Sequence, residues 1–198
     1  GFLGGKNESV LGLDVGSSSV KVVQLRKEKG KVILETYGEL AAGPYGDMTI
    51  GQAVTLAPDK VVALAKDLFS AANITTNRGT LSIPLKSSLV VNLEVPDIGR
   101  GEVDKMVPIE ARKFIPVPIS EVEMDWWIIP RKINDDVDNY SGSPTMEHDK
   151  GGKVEALVVA IHKDTISQYQ SIAHQLNLLP DFFEIETFSA LRSSVSTD

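Results

Sequence analysis

Asp14, Gly16, Ser17, Ser18, Ser19 and Lys21 fall within one short stretch, and their types suit the gripping of a phosphate. The apolar run Leu11-Gly12-Leu13 ends in the Asp14 carboxylate, turns through glycine and three hydroxyls, then resumes as an alternating strand. Gly16 has no Cβ, so the backbone there can turn tightly and come close to a ligand. The amides and hydroxyls of Ser17, Ser18 and Ser19 can donate hydrogen bonds to phosphate oxygens. Asp14, at the mouth of the turn, is placed for a hydrated Mg²⁺, which keeps several waters and takes few carboxylates. Lys21 adds a compact positive charge just beyond the turn. The same residues also suit an ordinary hairpin, because Asp, Gly and Ser favour turns for local reasons. Residue types alone leave both readings open. The stretch is not a Walker A loop, which ends in Gly-Lys-Ser/Thr before a helix; here a strand follows.

A second stretch, from Ile109 to Ile119, sets Glu110, Arg112, Lys113 and Phe114 ahead of Pro116 and Pro118. The prolines enforce an extended path after a helix. One reading is a rigid platform for a partner peptide, with apolar groups as anchors and charges for orientation. The other is a helix C-terminus whose basic residues complement the helix dipole, followed by a structural turn. Trp126-Trp127 needs no ligand. In a strand, one ring enters the core and the other meets a helix or the surface.

These residues need elements to hold them. Alternation predicts strands at 10–15, 20–27 and 31–40, a meander whose second turn is Glu28-Lys29-Gly30-Lys31. In the second strand Val20, Val22 and Gln24 share one face, and Lys21, Val23 and Leu25 the other. Residues 41–58 read as a surface loop. A helix follows with Val61, Leu64, Ala65, Leu68, Phe69 and Ala72 on one face, then a short strand over 80–84. Strands are predicted at 88–95, 122–129 and 154–161, the last nearly all apolar and therefore buried. A helix is predicted over 102–114 with Val103, Met106, Val107, Glu110 and Phe114 along it, although Pro108 conflicts with a helix interior. Residues 131–152 read as a long polar loop, 164–177 as a helix turning Ile166, Tyr169, Ala173 and Leu176 inward. A strand over 181–185 and a helix over 186–194 close the chain. That strand is apolar enough to need a sheet, and the first sheet is its natural host. The expected organisation is therefore α/β: a main subdomain of residues 1–85 and 179–198, with 86–178 inserted into it.

Composition narrows the chemistry. With 27 acidic against 20 basic residues and no basic stripe interleaved with aromatics, nucleic acid is not an expected partner. The absence of cysteine excludes disulfides and thiol catalysis and suits a reducing compartment. His148, His162 and His174 lack metal-ligand spacing and suit surface or helix-cap roles. No apolar run approaches the roughly 20 residues needed to span a bilayer, so a soluble chain is expected.

Taken together, three runs resemble the PilM-type type IV pilus assembly family, relatives of the actin-like division protein FtsA. The opening Val10-Leu11-Gly12-Leu13-Asp14-Val15-Gly16-Ser17-Ser18-Ser19-Val20-Lys21-Val22-Val23-Gln24-Leu25 looks like the first phosphate hairpin, a feature shared by many actin-like ATPases. The run from Glu110 through Lys113-Phe114-Ile115-Pro116-Val117-Pro118 to Trp126 looks like the helix-and-strand signature of the family's inserted subdomain, and is much more specific. The strand from Ala156 to Ile161, leading into the Asp164 helix, matches in order and spacing.

The resemblance implies the first half of an actin-like ATPase (ribonuclease H-like) fold with a small inserted strand-helix subdomain. It implies a cytoplasmic adaptor, peripheral to the inner membrane through its partner, that binds ATP and captures the cytoplasmic tail of a PilN-like membrane protein. Self-association into a ring is also implied. Asp14 would assist Mg²⁺ through water, Gly16, Ser17 and Ser18 would wrap the β/γ-phosphates with Ser19 beside them, and Lys21 occupies the matching lysine position. Pro84, Lys86, Glu110, Lys113, Phe114 and Pro116 are the expected partner-binding residues, at a cleft beside the inserted subdomain. Such a fold takes a second phosphate loop and an adenosine pocket from its other half. This chain contains one Asp-x-Gly hairpin, so these residues alone are expected to bind ATP and Mg²⁺ weakly or not at all, and no catalytic residue is assigned. Two alternatives share the first hairpin. A division adaptor like FtsA would end in an amphipathic membrane helix, whereas this sequence ends Ser-Ser-Val-Ser-Thr-Asp. A sugar-kinase-type phosphotransferase would need a general-base aspartate beyond the insertion and has no use for the Phe114-to-Trp126 signature.

Overall fold

The computed structural model describes residues 8–129 and 152–188. All of the expected 131–152 loop except Gly152 lies outside the described residues, as do His148 and most of the expected final helix; 186–188 are helical. The chain divides into two compact units, Gly1–Ser87 with Asp164–Asp198, and Ser88–Lys163.

In the first unit, β1 (Ser9–Val15), β2 (Ser19–Glu28) and β3 (Lys31–Ala41) form an antiparallel meander. The β2–β3 turn has positive φ at Lys29 and Gly30, 49° and 79°, the two-residue turn whose twist matches paired strands. Helix α1 (Pro58–Ala71) packs on β2 and β3 and leads to β4 (Arg78–Ile83), parallel to β1. β8 (Leu179–Ile185) returns beside β4, also parallel, giving a sheet of order β3-β2-β1-β4-β8. The expected placement of the last strand in the first sheet is what the structure shows.

Alternation decides the faces. Leu11, Leu13, Val20, Val22, Leu81 and Ile83 are buried with Leu64, Ala65 and Leu68 of α1. Gln24 shares that face, as its spacing requires, and is itself buried. Its amide is satisfied: Nε2 donates to Glu35 and Thr75, and Oε1 accepts from the Thr75 amide. Residues 41–58, read as loop, contain a 3-10 turn over Gly43–Gly46 that follows a buried Ala42.

In the second unit, β5 (Ser88–Pro96), β6 (Val122–Ile129) and β7 (Lys153–His162) form an antiparallel sheet of order β5-β7-β6. Helix α2 (Arg100–Ala111) covers one face, and Val103, Val107 and Ala111 bury against Leu93, Val95, Ala156 and Val158. Trp126 packs against this cluster, whereas Trp127, on the opposite face, is 49% exposed.

Two expectations change. The helix was expected to run to residue 114; α2 stops at Ala111, and Phe114 lies beyond it, 54% exposed. Pro116 and Pro118 commit the following chain to an extended path, leaving a tight turn over 112–114. Pro108 does lie inside the helix, but only three residues of it follow, so the lost hydrogen bond falls in the last turn. The insertion was expected to reach residue 178, yet the second unit ends at Lys163. Helix α3 (Lys163–Gln175) groups with the first unit because its inward residues belong there: Tyr169 and Ile172 line one hollow with Val15 and Val61.

Candidate functional site

The β1–β2 hairpin pairs Asp14 with Lys21 and Val15 with Val20, leaving Gly16, Ser17 and Ser18 as the turn. The Gly16 amide donates to the Ser19 carbonyl at 3.0 Å, and a Cβ on Gly16 would sit 2.8 Å from that same oxygen. A side chain cannot enter without moving backbone, so glycine is required by close approach. The segment between β3 and α1 braces the tip. The Ser17 carbonyl accepts from the Val54 amide at 2.8 Å and the Ser18 carbonyl from Ala42 at 2.9 Å. Ser17 and Ser18 remain exposed, while Ser19 is buried as the first residue of β2.

The candidate residues divide between two hollows of the first unit. Gly16 and Ser17 line a hollow of about 130 Å³ together with Pro84 and Lys86, and with Thr165, Gln168 and Tyr169 from α3. Asp14 and Lys21 line a shallower one of about 490 Å³ on the other sheet face, with Gly12, Tyr37, Glu39 and Ser82. Asp14 accepts a hydrogen bond from the Ser82 hydroxyl at 2.5 Å, and Lys21 stands 3.9 Å from both Asp14 and Glu39. The structure thus brings Lys86, expected only as a partner contact, to the side of the hairpin turn.

Sequence reading missed Ser82, Thr165, Gln168 and Tyr169. Ser82 had a weak signal, a hydroxyl between Leu81 and Ile83 on a buried strand. Tyr169 was assigned to packing. Burial first, then the charges of Asp14 and Glu186, push its hydroxyl up to about 12.

The turn carries donors of the kind a phosphate takes, whereas Asp14 and Lys21, the groups for a hydrated cation and a negative charge, line the hollow on the other sheet face. Two exposed hydroxyls follow a glycine whose Cβ space is closed, and the Asp14 carboxylate is already oriented by the Ser82 hydroxyl. Among the described residues no three His, Cys, Asp or Glu side chains gather to hold a metal. A cation here would rest on Asp14, waters and the phosphate itself.

The expected partner residues fall in both units. Pro84 and Lys86 belong to the first; Glu110, Lys113, Phe114 and Pro116 sit at the C-terminal end of α2 in the second. Lys113 Nζ pairs with Glu110 Oε2 at 2.6 Å, one helical turn away, which leaves Phe114 and Ile109 as outward apolar groups.

A sheet of order β3-β2-β1-β4-β8, with β1 to β3 antiparallel and β4 and β8 parallel to β1, interrupted by a small strand-helix unit, has the topology of an actin-like ATPase fold. The sequence pattern of the Type IV pilus assembly protein PilM matches residues 12–197, and the chain belongs to that family. Among solved structures it is similar to a PilM-PilN type IV pilus biogenesis complex, with TM-score 0.69 and 21% identity over 92% of this chain and 49% of that one. It is also similar to the cytoplasmic domain of EpsL, an inner membrane component of the type II secretion system of Vibrio cholerae. There the TM-score is 0.53 and the identity 9%, over 90% of this chain and 57% of that one. The chain spans about half the length of the PilM chain it matches.

Proposed function

We propose that this chain is part of a cytoplasmic adaptor of type IV pilus assembly, held at the inner membrane by capturing the cytoplasmic tail of a PilN-like protein. The observation that carries the reading is the PilM pattern running through both units, hairpin and insertion together. The similar PilM was solved as a complex with PilN, which supports the partner class. Pro84, Lys86, Glu110, Lys113, Phe114 and Pro116 are the residues assigned to the tail, with Phe114 as apolar anchor and Lys113 as orienting charge. Among the described residues no helix is long and apolar enough to cross a membrane, in keeping with attachment through a partner.

Asp14, Gly16, Ser17, Ser18, Ser19 and Lys21 are assigned to the phosphates of ATP, with Asp14 reaching Mg²⁺ through water. Nucleotide bound there supplies an anionic clasp that fixes conformation, and the role is scaffolding, not turnover. Among the described residues one hairpin of such a cage is present, so calorimetry should find Mg²⁺-ATP binding weak or undetectable. Tight Mg²⁺-dependent binding would contradict that. The adaptor reading is tested by biolayer interferometry on the immobilised N-terminal tail of the cognate PilN-like protein. Saturable micromolar binding, absent for a scrambled tail, is expected; a folded chain that ignores both tails overturns the reading.

A further inference from the structure

Among the described residues β3 is an outer strand of the five-stranded sheet, with β2 on one side only. Natural sheets keep such edges short, charged or broken, because a row of unpaired amides and carbonyls templates pairing with another chain. β3 opens instead with Lys31-Val32-Ile33-Leu34-Glu35, whose apolar residues are 69%, 37% and 55% exposed. Set antiparallel against itself about Ile33, this segment is self-complementary. Lysine faces glutamate, valine faces leucine, and isoleucine faces isoleucine.

The backbone agrees with that register. The two-residue turn closes on the Glu28–Lys31 pair, so Lys31 and Ile33 direct their main-chain groups to β2. Val32 and Leu34 direct theirs outward. In a pairing centred on Ile33, Val32 of one copy meets Leu34 of the other, outward groups on outward groups.

The side chains agree as well. Pairing slips between Gln24–Thr36 and Leu25–Leu34, which makes Glu35 the extra residue of a bulge. The Glu35 carboxylate turns to Gln24 and Arg26, on the face to which alternation sends Ile33 and Lys31. Opposed residues in the Ile33-centred register therefore share a face. Beyond the bulge the alternation inverts, so pairing Lys31 with Glu39, the other charge-matched register, would set residues on opposite faces.

We propose that Lys31–Glu35 of β3 is a homodimer contact, in which a second copy of this chain adds antiparallel with its register centred on Ile33. Such a contact is isologous and closes at two copies, unlike a ring. Its few residues place it among the small, weak interfaces.

The chain has no cysteine, so single cysteines report the register without background. In a pair of this kind the opposed Cα atoms lie about 4.5 Å apart, inside the roughly 4.4–6.8 Å reach of a disulfide. Ile33→Cys should therefore form a covalent dimer under mild oxidation. Val32→Cys and Leu34→Cys should not, since each lies opposite a different residue. Sedimentation equilibrium of the unmodified chain should show a reversible dimer, its association at least tenfold weaker in Ile33→Asp, which sets two carboxylates face to face. Cross-linking spread evenly over the three positions, or an unmodified chain monomeric at every concentration up to the submillimolar, would overturn the proposal.

Discussion

The five-stranded unit offers polar groups at its hairpin, while the three-stranded unit offers apolar ones at the end of its helix. In the first, Asp14 takes a hydrogen bond from Ser82, Lys21 stands alongside, and Ser17 and Ser18 are exposed at a turn that glycine alone can make. In the second, charges pair along the helix surface, Glu102 with Lys105 and Glu110 with Lys113, leaving Ile109 and Phe114 outward. A polar grip depends on backbone placed to a fraction of an ångström, whereas apolar anchors depend on side-chain volume. The two units should therefore fail under different substitutions.

The largest effect separates core from anchor. Leu81, fully buried in β4 between β1 and β8, should cost about 2–5 kcal/mol on truncation to alanine, read by urea denaturation. Phe114→Ala should cost less than about 0.5 kcal/mol, as for an exposed surface position. Equal losses would make Phe114 a core residue and erase the contrast. Next, Gly16→Ala must displace the Ser19 carbonyl and should cost about 1–3 kcal/mol, with the thermal midpoint falling accordingly. A neutral Gly16→Ala would show that the turn is not held by close approach.

A smaller effect is set by pH. Hydrogen bonds from Ser9 first and Gln24 next, with Arg26 adding to them, hold Glu35 below its ordinary value of 4.5. Its contribution is complete above that value and is lost as pH falls through the lower folded value. Acid titration of stability should thus be shallower below pH 4.5 in Glu35→Gln than in the parent chain. The smallest effect is optical. Trp127→Phe should remove most of the acrylamide-quenchable fluorescence, because Trp126 is packed against the α2 cluster.

Much of this was legible in advance. Period-two alternation placed Val20, Val22 and Gln24 on the buried face of β2, and a polar glycine turn fixed the meander. The apolar final strand required a sheet and found one beside β4. Helix ends were less legible. Val103 and Val107 set the period of α2, and Phe114 continued it on paper, but the stop at Ala111 depends on prolines that act from outside the helix. Unit membership of α3 was not legible either, since Tyr169 and Ile172 declare an apolar face without naming what covers it. At the site, the hairpin residues were evident from type and spacing. Ser82 and Gln168 were not, because they come from elements distant in sequence and carry no local pattern.

The division of labour between the units is the central claim. It is tested most directly by fluorescence anisotropy of a labelled PilN-like tail peptide titrated with the parent chain, with Lys113→Ala/Phe114→Ala, and with Asp14→Asn. Micromolar binding by the parent chain and by Asp14→Asn, weakened at least tenfold in the double variant, is the predicted result. Equal weakening in Asp14→Asn and in the double variant, or no effect of either, would contradict the account.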